Sequence, residues 1–381
     1  MTGWAPSTGN MTDDGWSGVP RFPLPRLTEF AAALLVGMGV PAEDAGPAAD
    51  LLLLADLRGV DSHGVARLPF YAARFQRGLI RADADLRVLR EGPATLAFDA
   101  GDGFGLTQAP RAMKRCIAKA EETGLCLATV GHSNHFGIAG AYALMAARRG
   151  LGGMAMTNAS TLVVPTFGAQ PMLGTNPIAV AVPTSPDGAT PPLVLDMSTS
   201  AVAWGKIEVA RRAGSQIPLG WAVDEAGVPT TDPFAARWLT PLGGPRETSG
   251  HKGYGLGVIV DLLCGPLTGA AWGAHVLGSR GPNRPANVGH TFMAWRIEAF
   301  RDLDEFFADL GAMLAELRAT PPAPGHEATG VLVPGDPEAR AEAVNRRLGV
   351  PVRPPVVEEL RTLASELGVP FDLDADPIGI S

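Results

Sequence analysis

The sequence predicts a mixed α/β protein of the α+β type, with a helical part drawn from both chain ends around a strand-rich middle. Three observations carry this. Apolar residues at helical spacing fill Leu27 to Leu57 and return beyond Asp302. Between them run short apolar segments punctuated by Pro and Gly: LGGMAMTN, TLVVPTFG, PIAVAVPT and PPLVLDMS. The third observation is a defective dinucleotide fingerprint. FDAGDGFGL, Phe98 to Leu106, mimics the G-x-G-x-x-G fingerprint, but Leu106 stands where the third Gly belongs. The acid expected after the next strand is also missing, so this run reads as a turn.

The elements follow in order. Leu27 to Leu57 divides into two helices near Gly39 to Pro41, and Pro41 with Glu43 and Asp44 suits a helix start. Gly59 and Gly64 interrupt the next helical stretch. Strands are expected at Arg87 to Arg90 and Thr95 to Asp99, a helix over Leu106 to Thr123, and a strand over Leu125 to Val130. After the strand-rich middle, a helix is expected from about Ala201. Gly255 to Leu267, apolar nearly all round, predicts a buried helix. FFADLGAMLAEL has helical spacing, ATPPAPGHEATG reads as turns, and DPEARAEAVNRRLG as an exposed helix. No internal repeat is present. The resulting division is a flexible extension at 1–20, a helical domain at 21–90 plus 300–381, and a strand-rich domain at 91–299.

Composition bounds the function. The chain has 381 residues, 46% hydrophobic and 18% charged, enough for a sizeable core. A net charge of −8 argues against a nucleic-acid partner, which needs a basic surface. Three dispersed cysteines without a CxxC fit a reducing compartment. No apolar run approaches the roughly 20 residues of a membrane-spanning helix, and the N-terminus lacks a signal-peptide pattern. A cytoplasmic protein without a membrane partner is expected.

Four segments carry candidate chemistry. GHSNHFGIAGAY, Gly131 to Tyr142, sets His132 and His135 among glycines, where a ligand can approach the backbone and an imidazole can exchange a proton. DSHGVAR places Ser62, His63 and Arg67 within seven residues. Arg67 suits a carboxylate through paired hydrogen bonds, and Tyr71 would share its helical face. A helix cap with a surface Arg is the bland alternative. Asp196, Met197 and Ser198 end an apolar strand, where polar groups face a cleft or cap the next helix. SGHKGYGLG puts Lys252 at a helix N-terminus, a place suited to phosphate.

DSHGVAR, GHSNHFGIAG, LGTNPIAVAVP, DMSTS, GWAVDEAGVPTTDP and GHKGYGLG, in that order, resemble the malate/L-lactate dehydrogenase family of NAD(P)-dependent oxidoreductases. The resemblance runs from about Leu27 to about Asp372. It implies a non-Rossmann fold with NAD(P) bound by the strand-rich domain, a small carboxylate substrate and a homodimer. It implies hydride transfer between nicotinamide and C2 of a 2-hydroxy or 2-oxo acid of the malate or lactate kind. Reduction of a cyclic 2-imino acid, such as piperideine- or pyrroline-2-carboxylate, is the alternative within it. His135 matches the catalytic acid/base; Arg67, Ser62, His63 and Tyr71 match the substrate side. Asp196, Met197, Ser198 and Lys252 match cofactor positions, with Ala159 and Ser160 near the adenosine ribose. Some members carry an acid where Ser160 stands, which favours NAD, so NAD versus NADP is open. From another class, His63, His132, His135 and His251 could serve a metal-dependent hydrolase, although no HExxH occurs and no metal is expected.

Overall fold

The computed structural model describes residues 16, 18–278 and 283–373. Most of the extension expected at 1–20 lies outside them. Among the described residues are ten helices: α1 (Leu24–Gly37), α2 (Ala42–Leu57), α3 (Leu68–Gln76), α4 (Gly105–Thr123) and α5 (Gly140–Ala147), then α6 (Trp204–Ala213), α7 (Gly250–Cys264), α8 (Leu303–Ala319), α9 (Asp336–Leu348) and α10 (Pro354–Leu367). The strands are β1 (Arg21–Phe22), β2 (Arg87–Glu91), β3 (Thr95–Asp99), β4 (Leu125–Ser133), β5 (Gly152–Thr157) and β6 (Ile178–Val182). They continue with β7 (Leu193–Met197), β8 (Ala222–Val223), β9 (Pro229–Thr230), β10 (Trp238–Leu239), β11 (Val288–Trp295) and β12 (Val350–Pro351). The chain forms two compact units.

The first unit comprises Met1–Gly78, Val182–Val194 and Ile297–Ser381. Helix α1 buries Leu27, Phe30, Ala31, Leu34 and Leu35, one helical face, in keeping with its apolar spacing. Segments from the two flanks of the chain meet at the end of α2. β1 pairs antiparallel with β12, and Arg21 Nη1 donates to Asn345 Oδ1 at 2.9 Å. Asn345 Nδ2 in turn donates to the Leu57 carbonyl at 2.9 Å, satisfying an end-of-helix acceptor. Leu310 and Leu314 of α8 cluster with Val333, Val182 and Leu193. That packing places 182–194 here rather than with the strand-rich part.

The second unit comprises Leu79–Ala181 and Leu195–Arg296, and takes in 79–90 because β2 pairs with β3. Its frame is a seven-stranded sheet in the order β2-β3-β4-β11-β5-β6-β7. β3 and β4 pair in parallel, while β11 runs antiparallel to β4 and β5 on its two sides. That is not a doubly wound parallel sheet. Helices α4, α5 and α7 pack on these central strands.

Three local expectations are corrected. TLVVPTFG forms no strand: Val163 makes only isolated bridges to Leu173 and Leu239, and Pro165 has no amide to continue a ladder. The helix expected near Ala201 starts at Trp204. Helix α7 is buried on one face only. Val260 and Cys264 pack with Met156, whereas Leu256, Val258, Ile259 and Leu262 are exposed. Among the described residues no helix is long and apolar enough to cross a membrane.

Candidate functional site

In the first unit, DSHGVAR folds as two short 3₁₀ turns, Asp61–His63 and Val65–Arg67, leading into α3. No side chain caps either turn or α3, so the helix-cap alternative finds no support. The turns rest on Asp56, a buried carboxyl near the end of α2. The Val65 amide donates to Asp56 Oδ2 at 2.8 Å. A Cβ at Gly64 would overlap the same carboxyl, so only glycine lets the backbone pass. Burial pushes the Asp56 pKa up to about 8, against the opposing pull of the Val65 amide.

Arg67 Nε donates to the Ser62 carbonyl at 2.7 Å, and its guanidinium lies 5.8 Å from the Phe70 ring centroid. Arg67 forms no ion pair among the described residues, which leaves its nitrogen fork to meet an outside anion. Ser62 Oγ is 2.8 Å from His63 Nδ1. Enclosure of the ring, together with the Arg67 charge, pushes the His63 pKa down to about 4, so His63 is neutral at pH 7. Tyr71 is wholly buried, and burial raises its hydroxyl well above the usual phenol range. Its hydroxyl is therefore protonated at neutral pH. Ser62, His63, Arg67 and Tyr71 thus form one neighbourhood.

In the second unit, β4 ends at Ser133 and the chain turns through His135 into α5. The Asn134 Nδ2 donates to the carbonyls of Asp102 and Gly103, at 2.9 and 3.0 Å. A Cβ on Gly105 would strike the carbonyls of Asn134 and His135. The glycine run that imitates a nucleotide fingerprint is thus the seat of the His135 loop. His135 is half-buried, and its Nδ1 accepts from the Gly137 amide at 3.4 Å. An accepting Nδ1 leaves Nε2 to carry the proton of the neutral ring. His132 is drawn elsewhere: its Nδ1 lies 3.4 Å from Asp99 Oδ1.

Asp196, at the end of β7, accepts the Gly140 amide at 2.8 Å, at the start of α5. A carboxylate there suits the helix dipole. It caps α5, not the following helix. Met197 and Ser198 are half-buried, and Ser200 Oγ donates to Ser198 Oγ at 2.9 Å. The Ala159 amide donates to Asn176 Oδ1 at 3.2 Å, while Ser160 is exposed beside Gly278. Lys252 is exposed in the first turn of α7, which no side chain caps. Its neighbour His251 has a buried Nδ1 with no hydrogen-bond partner among the described residues. Among those residues no group of three His, Cys, Asp or Glu side chains is placed to hold a metal ion.

Sequence reasoning missed Asp56 and the pairing of Gly105 with Asn134. The signal for Asp56 was present as a lone acid inside the apolar run LLLLADL. The Gly105 contact is long-range and leaves no local trace.

The second unit thus carries an antiparallel-rich central sheet, a histidine loop seated on Gly105 and a helix N-terminus that bears Lys252 and that no side chain caps. Comparison with known proteins gives the class. The family model described as malate/L-lactate dehydrogenase matches residues 22–361. The chain is 42% identical to a malate dehydrogenase of Pyrococcus abyssi, over 92% of this chain and 95% of that protein. It is 36% identical to an L-sulfolactate dehydrogenase of Methanothermobacter thermautotrophicus, over 89% and 95%. The solved malate dehydrogenase of Pyrococcus horikoshii OT3 superposes with a TM-score of 0.84 at 37% identity, over 97% of this chain and 99% of that one. The chain belongs to the malate/L-lactate dehydrogenase family and is an oxidoreductase of the dehydrogenase class.

Proposed function

We propose that the protein interconverts a small 2-hydroxy carboxylic acid and its 2-oxo acid with NAD(P), and that His135 handles the proton. The observation that carries this is the His135 loop: a half-buried imidazole on a backbone seated against Gly105. When bound, the nicotinamide supplies or takes the hydride at C2. Reduction uses the imidazolium form of His135, in which an Nδ1–H displaces the 3.4 Å Gly137 contact; that form gives its Nε2 proton to the carbonyl oxygen as the hydride arrives, and in oxidation the neutral ring takes the proton back. Arg67 binds the substrate carboxylate through its fork, and neutral His63, Ser62 and buried Tyr71 add uncharged polar groups beside it.

The residues present fit a dinucleotide. An uncapped helix N-terminus, the exposed Lys252 and the orphaned His251 Nδ1 suit its phosphates. Ala159, Ser160, Asp196, Met197 and Ser198 are read as the remaining cofactor positions. Ser160 has no carboxylate to repel a 2′-phosphate, so both nicotinamide cofactors are admitted. We further read the protein as a cytoplasmic homodimer, supported by three free buried thiols and the exposed apolar face of α7.

The test is absorbance loss of NADH and NADPH across oxaloacetate, pyruvate, sulfopyruvate and piperideine-2-carboxylate. Turnover of a 2-oxo acid is expected. Turnover of the cyclic imine alone would overturn the oxo-acid reading.

A further inference from the structure

His290 lies in β11, is wholly buried, and has no part in the chemistry above. Its ring lies flat against Phe136, with centroids 4.5 Å apart and planes 6° from parallel. Phe136, the residue after His135, also stacks with Tyr142 at 4.5 Å. The Tyr142 hydroxyl donates to the Phe136 carbonyl at 2.5 Å. On the other side of His135, Ser133 Oγ lies 2.8 Å from His290 Nε2. His290 Nδ1 lies 2.8 Å from Thr157 Oγ1 on β5. The Thr157 hydroxyl also faces the carbonyls of Asn158 and Gly289, both at 3.0 Å.

In either neutral tautomer one ring nitrogen donates and the other accepts, so the Ser133 and Thr157 hydroxyls are both engaged. Burial pushes the His290 pKa down to about 3, with the Asn134 carbonyl acting in the opposite direction. The ring therefore stays neutral at working pH. An apolar side chain could fill the same space, but it would strand two buried hydroxyls.

We propose that His290 is a positioning residue for His135: by binding Ser133 and stacking on Phe136 it ties both flanks of His135 to the central strand. The proposal rests on the reading of His135 as the proton donor. A displacement of about 1 Å at a reacting group can lower turnover about 100-fold, so a neutral clamp two residues away has leverage on rate rather than on binding.

His290→Phe keeps the stack and removes both polar contacts, while His290→Gln keeps a donor and an acceptor. For His290→Phe, kcat measured well below the melting range should fall roughly 10–100-fold with KM and the cofactor dissociation constant little changed, while Tm drops by the few degrees that the stranded hydroxyls cost. His290→Gln should recover much of the loss. In the His135→Ala background, adding His290→Phe should cost nothing further, because two residues acting as a unit are non-additive. A further loss in that background, or a kcat that falls only in step with Tm, would mark a merely structural role and overturn the proposal. Wild-type kcat in His290→Phe, with His135→Ala inactive, removes the positioning role alone. Wild-type turnover in His135→Ala removes the proton-donor reading and the proposal together. Should His290→Phe fail to fold, His290→Gln and Ser133→Ala carry the same comparison.

Discussion

Arg67 is oriented by its own chain: Nε is committed to the Ser62 carbonyl at 2.7 Å and the guanidinium stands over Phe70, which leaves the outer nitrogens for an incoming carboxylate. A lysine keeps the charge but loses both the fork and the Ser62 bond. Charge-assisted hydrogen bonds contribute about 1.5–3 kcal/mol each, so Arg67→Lys should raise KM for the acid roughly 10–100-fold. Steady-state kinetics check this, with cofactor KM as the control. If Arg67→Lys and Arg67→Ala both kept the wild-type KM, the anchor would lie elsewhere. At this scale the sequence displayed reactive side chains set among glycines, but not what those glycines touch. Gly64 and Gly105 are glycines because Asp56 and the 134–135 carbonyls occupy the space of a Cβ. Those contacts join positions 8 and about 30 residues apart, beyond any local pattern.

The turns bearing Ser62, His63 and Arg67 depend on one carboxyl of α2. The folded-state pKa of Asp56 stands near 8 against an ordinary value of 3.8, so the native protein binds this proton more tightly than the unfolded chain. The sign follows: the contribution is fully present below about pH 4 and is lost as pH rises through about 8. The slope is at most about 1.4 kcal/mol per pH unit for one proton. Asp56→Asn has the shape of the neutral acid and cannot ionise. Its Tm should therefore stay flatter than that of the wild type between pH 6 and 9, which calorimetry would show; parallel curves would mean that Asp56 is already ionised at neutral pH. Element prediction succeeded where periodicity was strong: α4 begins one residue before the expected Leu106 and ends at Thr123 as expected. It failed at TLVVPTFG, where β-branched composition suggested a strand but Pro165 denied it a ladder.

Each of the two units has its own buried core, and the chain crosses between them several times, so the simple division into ends and middle could not place 79–90 or 182–194. Those segments follow β2–β3 pairing and the Leu310 cluster, which are tertiary choices. Uniform apolarity likewise announced α7 but could not say what covers each side. One side packs on β5 and β11; the other leaves Ile259 53% and Leu262 48% exposed within one turn of each other. Exposed apolar surface of this kind is typical of a face that meets another chain. Under the homodimer reading, the wild-type protein should scatter light with twice the chain mass at micromolar concentration. Ile259→Glu puts a charge on that face without removing a core contact, so it should shift the mass toward the monomer while Tm at high dilution changes little. A wild-type monomer at micromolar concentration would end the dimer reading. A variant that stays dimeric would leave the dimer standing and move its interface away from α7.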